Sequence, residues 1–242
     1  LGHTPFGHSG ETALKEIYSA DFSHNEQSLR VVEILENNGK GLNLTHEVRD
    51  GILKHSKGFG KIIPEDPAEM ASTYEGRIVR IADIMAYLNH DLEDAIRSKV
   101  IRINQVPPVC IKILGHSHSE RATVMIRDLI SASEVREGEL RLQMTDDVYA
   151  AMMELRQFLY ENVYRSARVH KDFEKAKKIL SELYSYFLEN DKILEQKLIE
   201  LKMDRCNDSH FPKRTVCDVI ASMTDRYALN LYKKIFFPSP LV

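Results

Sequence analysis

Residues 75–91 read EGRIVRIADIMAYLNHD, and the alternation of apolar and polar positions in this stretch predicts a continuous α-helix. Ile78, Ile81, Met85 and Leu88 recur at three- and four-residue steps and form an apolar side. Asp83, Tyr87, His90 and Asp91 fall roughly opposite. At ~100° per residue, His90 lies about 20° from Asp83, Tyr87 about 40° and Asp91 about 80°, a single polar stripe rising ~12 Å. Such a stripe either lines a cleft or faces solvent. Upstream, Asp66-Pro67 supplies a capping carboxylate and a first-turn proline, so the helix is expected to span 66–97, with Gly76 as its weakest point.

Working outward, the same periodicity recurs along the chain. HNEQSLRVVEIL (24–35) carries Leu29, Val32 and Leu35 at helical spacing, and 45–55 carries Val48, Ile52 and Leu53 behind Thr45 as N-cap. Glycines 39, 41, 58 and 60 mark the loops on either side. Further helices are expected over 108–114, 119–132, 145–165, 171–189 and 213–236. The 171–189 segment shows Phe173, Ala176, Ile179, Leu180, Leu183 and Phe187 as one stripe. Glu139-Leu140-Arg141-Leu142 is the modest β candidate. The expected fold class is all-α, with a first portion over 1–104 and a C-terminal helical region over 105–242.

Composition agrees with a globular protein. Across 242 residues the net charge is −3, so no global basic field points to nucleic acid. Three cysteines, Cys110, Cys206 and Cys217, make no disulfide framework and suit a reducing compartment. No apolar run approaches the ~20 residues of a membrane span, and the first residues lack a signal peptide's basic start. The expectation is a cytoplasmic protein.

The amino end, LGHTPFGHSGE, concentrates histidine among glycines and a proline. A loop over residues 1–10 can aim His3, His8 and Glu11 into one pocket, with Glu11 opening the next helix. A glutamate beside a histidine is an acid–base pair, because the carboxylate orients the imidazole and raises its basicity. The same residues also suit a tight turn whose histidines cap or face solvent.

Taken together, LGHTPFGHSGE, FSHNEQSLR, GLNLTHEVRDGILKH, EGRIVRIADIMAYLNHD and CDVIASMTDRYA resemble, in order, signatures of the dGTP triphosphohydrolase family of HD-domain proteins. They span positions 1 to about 228, with a less recognisable stretch from about 100 to 210. The resemblance implies a helical HD-domain fold with additional C-terminal helices. It implies hydrolysis of a deoxynucleoside triphosphate to deoxynucleoside and inorganic triphosphate. A multiply charged substrate repels an anionic nucleophile, so a divalent metal, Mg2+, Mn2+ or another transition metal, is expected to screen it.

Residue by residue, Asp83 matches a metal ligand of the family. Its other ligands, a histidine and an adjacent His-Asp pair, would precede Leu1, so this segment alone is expected to be inactive. His8 resembles the histidine that acts as acid or base at the reacting phosphate, Glu11 the carboxylate that orients it, and His24 a further catalytic histidine. His3 resembles a substrate contact. Tyr87 and Asp91 resemble sugar-site groups, the ring packing on the deoxyribose and the carboxylate accepting from the 3′-hydroxyl. A ring against C2′ leaves no room for a ribose hydroxyl. Asp225, Arg226 and Tyr227 match a family block without assigned roles. The resemblance further implies a homo-oligomer and a second, activating dNTP site. Neither a membrane nor single-stranded DNA has support in the sequence as a partner.

Other constellations are weaker. Cys206, His210 and Cys217 do not fit a standard zinc spacing. His116 and His118 precede a helix with Ser119 as its cap. Arg165, Arg168 and Lys171 suit a solvated face or a nucleotide-contacting surface. Two alternatives stand beside the dNTP reading: an HD phosphohydrolase for another nucleotide or a cyclic dinucleotide, and a non-catalytic nucleotide sensor or nucleic-acid-binding helical protein.

Overall fold

A computed structural model describes residues 2–56, 60–64, 66–203 and 212–238. Among the described residues the fold is all-α apart from a small hairpin pairing Glu134–Arg136 with Glu139–Arg141. It forms two compact units, one of residues 1–53 and 171–242, the other of 54–170.

The second unit is built around the Tyr74–Arg97 helix, which buries Ile81, Ile84, Met85, Leu88 and Leu92. Helices Pro108–Leu114, His118–Ala132 and Asp146–Leu159 close over it, contributing Leu114, Met125, Met152 and Leu155 to one core. A single π turn, Tyr160–Tyr164, extends the last of these. The central helix begins later than its sequence suggests. Asp66 caps only the 3-10 turn Pro67–Glu69, and the chain then extends at Met70. Thr73 caps the helix proper, its side chain accepting from the Gly76 N–H. Ile78 is also not a core position, being 41% exposed.

The first unit carries helices His8–Ile17, His24–Arg30, Asp191–Leu201, Lys213–Ala221 and Asp225–Phe236, with most of Ala167–Glu189. The expected stripe of Ala167–Glu189 is its core: Ala176, Leu180, Leu183 and Phe187 are buried against Val216, Val219 and Ile220. Within that core Asp218, 1% exposed, accepts from Gln27 Nε2 at 3.0 Å, Arg30 Nε at 2.9 Å and Arg214 Nη2 at 2.8 Å.

Four features of this unit differ from the sequence expectations. The predicted 213–236 helix is two helices, because Thr224 turns extended and caps the second from the Tyr227 N–H. A helix over Asp191–Leu201 has no counterpart in the expectations, although Leu194 and Leu198 give it a buried side. In His46–Lys54 the expected stripe is not buried: Val48 is 48% and Leu53 38% exposed. Residues 24–35 form an α-helix only to Arg30, followed by a π turn, Val31–Leu35. Gly58, Cys206 and His210 lie outside the described residues.

Truncating Leu88, fully buried on the central helix, is expected to cost about 2–5 kcal/mol in chemical denaturation. Ile78→Ala on the same helix should cost under ~1 kcal/mol, because its side chain is already exposed. Equal losses for the two would contradict the orientation described for this helix.

Candidate functional site

Two clusters hold the residues singled out by sequence, one in each unit. In the first unit, the turn at Thr4–Gly7 closes with the Gly7 N–H donating to the Thr4 carbonyl at 3.1 Å. Phe6 and Gly7 both adopt positive φ there, 67° and 55°. The Phe6 N–H donates to Asp225 Oδ1 at 2.8 Å, which fastens the turn to the start of the Asp225–Phe236 helix. This gives Asp225 the structural role that its sequence left open. Tyr227 packs its ring beneath the Lys197 ammonium, 5.2 Å from the centroid, while Arg226 is exposed.

Helix His8–Ile17 starts directly from this turn, one residue after Gly7 and earlier than its sequence suggests. Gly10 is required by the close return of the loop: a Cβ there would stand 1.9 Å from the Pro5 carbonyl oxygen. One turn into the helix, Glu11 is held on both oxygens. Lys15 Nζ lies 3.1 Å from Oε1, and His24 Nδ1 lies 2.8 Å from Oε2. His24 is the first residue of its own helix, capped by Ser23, and is 8% exposed. The His3 ring rests on His24 at 4.7 Å between centroids. His8 sits at the exposed first position of its helix. The resemblance pairs Glu11 with His8; the structure places Glu11 on His24 and Lys15.

Burial alone would raise the Glu11 carboxyl. The His24 and Lys15 contacts outweigh it and hold the group down at about 2. Glu11 is therefore an anion across the neutral range, able to fix the orientation of the His24 ring.

In the second unit Asp83, Tyr87 and Asp91 share the half-buried side of the Tyr74–Arg97 helix, as their spacing requires. Asp91 Oδ2 accepts from the Tyr164 hydroxyl, and the Arg156 guanidinium lies over the Tyr87 ring, 5.9 Å from its centroid. Burial, with the Asp91 charge, pushes the Tyr164 hydroxyl well above its ordinary range, so it remains a donor. Burial likewise raises Tyr87, with Arg156 opposing. Tyr164 and Arg156 escaped sequence reasoning. They stand at the end of the π turn and on the buried side of the preceding helix, about seventy residues from their partners, and only folding brings them to Asp91 and Tyr87.

His90 is exposed, its ring 5.0 Å from that of His118. The cap of the His118–Ala132 helix is Ser117, in a reciprocal box with Glu120, instead of Ser119. Arg165, Arg168 and Lys171 are all exposed. Among the described residues no group of three or more His, Cys, Asp or Glu side chains is placed to hold a metal ion. Asp83 by itself is too small a donor set for a divalent cation, which takes several ligands. No helix among the described residues is long and apolar enough to cross a membrane.

The Glu11 contacts give a pH signature. With its folded value depressed to about 2, Glu11 contributes stability that is fully present above its unfolded value near 4.5 and lost as pH falls toward 2. Glu11→Gln should remove a component on the order of 2 kcal/mol at neutral pH and flatten the stability profile between these values. Parallel denaturant titrations of both proteins from pH 7 to pH 2 provide the measurement. An unchanged acid limb in the variant would show that the carboxylate is not held as described.

Residues 142–234 match the model of the phosphohydrolase-associated domain. Over 100% of its length the chain is 56% identical to a deoxyguanosinetriphosphate triphosphohydrolase-like protein of Desulfatibacillum aliphaticivorans, and it spans 69% of that relative. Similarly named proteins of Caldanaerobacter subterraneus and Clostridium perfringens are 46% and 38% identical over 99% and 98% of this chain, which covers 66% and 67% of their lengths. The chain thus spans about two thirds of the relatives it matches. With its all-α, HD-type architecture and 56% identity over its full length to a protein so named, this chain belongs to the deoxyguanosinetriphosphate triphosphohydrolase-like family of phosphohydrolases.

Proposed function

We propose that the protein containing this chain hydrolyses a deoxynucleoside triphosphate to the deoxynucleoside and inorganic triphosphate. The observation that supports this reading most is the Glu11–His24 contact in a chain 56% identical to a triphosphohydrolase-like relative. Water adds to the α-phosphorus, the bond from that phosphorus to the 5′-oxygen breaks, and triphosphate departs as a unit. One proton leaves the attacking water and one reaches the 5′-oxygen. His24, oriented by anionic Glu11, and His8 at the helix start are assigned this proton traffic. His3, stacked on His24, is assigned a substrate contact.

The second cluster is assigned the sugar. Tyr87 provides a flat apolar ring, and Asp91 an acceptor for the 3′-hydroxyl. Asp91 accepts from the Tyr164 hydroxyl, and a carboxylate offers about four acceptor positions. Asp83 is assigned one position on a divalent cation, Mg2+ or Mn2+. The described residues do not complete such a site, and none of the steps above depends on it. Activation by a second dNTP and a homo-oligomeric state belong to the same proposal.

Incubating the full-length protein with each dNTP, singly and mixed, in Mg2+ or Mn2+ and separating the products tests the reaction. Triphosphate and deoxynucleoside should appear in equal amounts. His24→Ala and Glu11→Ala should lower kcat about 10²–10⁴-fold, the range of acid–base catalysis. Tyr87→Ala should narrow the preference for dNTPs over ribonucleotides, and Asp83→Ala should abolish turnover. Orthophosphate or pyrophosphate as the sole inorganic product would exclude the reaction. Turnover of a cyclic dinucleotide in place of any dNTP would favour the alternative HD phosphohydrolase.

A further inference from the structure

The second unit contains a cavity of about 240 Å³ that neither cluster uses. Its floor is aliphatic: Ile62, Ile63, Ile81, Leu140 and Leu142. One wall is the strand end of the hairpin, fastened to the central helix where the Leu140 N–H donates to the Tyr74 hydroxyl at 3.1 Å. The opposite wall is the first part of that helix, which brings in Arg77 and Arg80. Arg141 and Glu139 lie at the cavity's rim on the hairpin, both exposed, while Leu140 between them turns inward.

Arg80 is the unusual member. It is only 4% exposed, and its Nε has no hydrogen-bond partner. Nη1 reaches the carbonyls of Lys54 and Glu69 only at 3.5 Å, the outer limit of a hydrogen bond. Burial works against its charge, Glu69 offsets this in part, and Arg156 adds a second positive field. A guanidinium cannot escape by losing its proton, and a buried one with poor partners is costly. Its neighbour Arg77 is already engaged, with Nε on the Ala71 carbonyl at 2.8 Å and its guanidinium over the Tyr74 ring.

We propose that this cavity is a ligand site for a small organic oxyanion with an aliphatic body. The carboxylate or phosphate monoester meets buried Arg80, with Arg141 reaching it from the rim, and the chain lies on the isoleucine and leucine floor. Paired N–H donors of a guanidinium match such an oxyanion in geometry as well as charge. None of the described lining residues is aromatic and none offers a side-chain amide, so the cavity has nothing with which to stack or read a nucleobase. Its volume falls below the roughly 300–1,000 Å³ of drug-sized sites, which favours a short chain.

Calorimetric titration of the full-length protein with butanoate, hexanoate, hexyl phosphate, hexylamine and inorganic phosphate tests the site without reference to turnover. Hexanoate or hexyl phosphate should bind saturably, the tighter of the two identifying the headgroup. Affinity should rise about fourfold per added methylene from butanoate to hexanoate. Arg80→Gln should weaken binding at least about tenfold, and Arg141→Ala, an exposed position that leaves the core intact, at least about threefold. The proposal is overturned by the absence of saturable binding, by hexylamine binding as tightly as hexanoate, or by inorganic phosphate matching hexyl phosphate. Unchanged affinity in Arg141→Ala, or displacement of hexanoate by dATP or dGTP, overturns it as well. The last result would make the cavity part of a nucleotide site.

Discussion

The first unit depends on one buried charge. Asp218 is almost wholly removed from water, and a carboxylate in that position is tolerated only if it is paired and hydrogen-bonded. Arg30 and Arg214 supply two guanidiniums, and Gln27 adds an amide donor. Two of these partners lie on His24–Arg30, while Arg214 and Asp218 lie on Lys213–Ala221. The arrangement therefore fixes the rotation and translation of the short His24–Arg30 helix against a well-packed neighbour. A seven-residue helix cannot hold itself in water. His24, its first residue, is oriented because the far end of the same helix is clamped.

A second fastening completes this cluster. The turn that precedes His8–Ile17 has two consecutive positive φ values and is closed locally by the Gly7 N–H on the Thr4 carbonyl. The Asp225 carboxylate takes its Phe6 N–H, and Gly10 lets the Pro5 carbonyl lie against the helix. With both ends fixed, Glu11 meets His24 at hydrogen-bond distance without a flexible search, and the contact persists because both partners are largely shielded from solvent. The aromatic contact with His3 adds a second imidazole to the same spot.

The second unit solves a different problem. The Tyr74–Arg97 helix must bury an aliphatic side and still present carboxylates and a phenol along another. The π turn at Tyr160–Tyr164 reorients the chain just past a regular helix, so that Tyr164 reaches Asp91 while Val163 stays in the core. Such single π turns often mark functional positions, because the widened turn displaces a side chain that an α-helix would aim elsewhere.

What the sequence alone determined were the features set by local periodicity and capping. They include the all-α class, the stripe from Asp83 to Asp91, the core side of Ala167–Glu189 and the short Glu139–Arg141 strand. That His3, His8 and Glu11 share one loop and helix start was also legible, since they lie close in sequence. Boundaries misled where a plausible local signal met a competing one. Asp66-Pro67 starts a turn that Met70 ends, and Thr224 is a second cap inside an apparently continuous stripe. Tertiary structure alone decided which residues became partners. Glu11 with His24, Asp91 with Tyr164, Phe6 with Asp225 and Asp218 with Arg30 are separated by 13, 73, 219 and 188 residues. Periodicity states which side of an element is wet, but pairing requires knowing which element arrives opposite. That choice follows from burial summed over the whole core, to which no single segment holds the key.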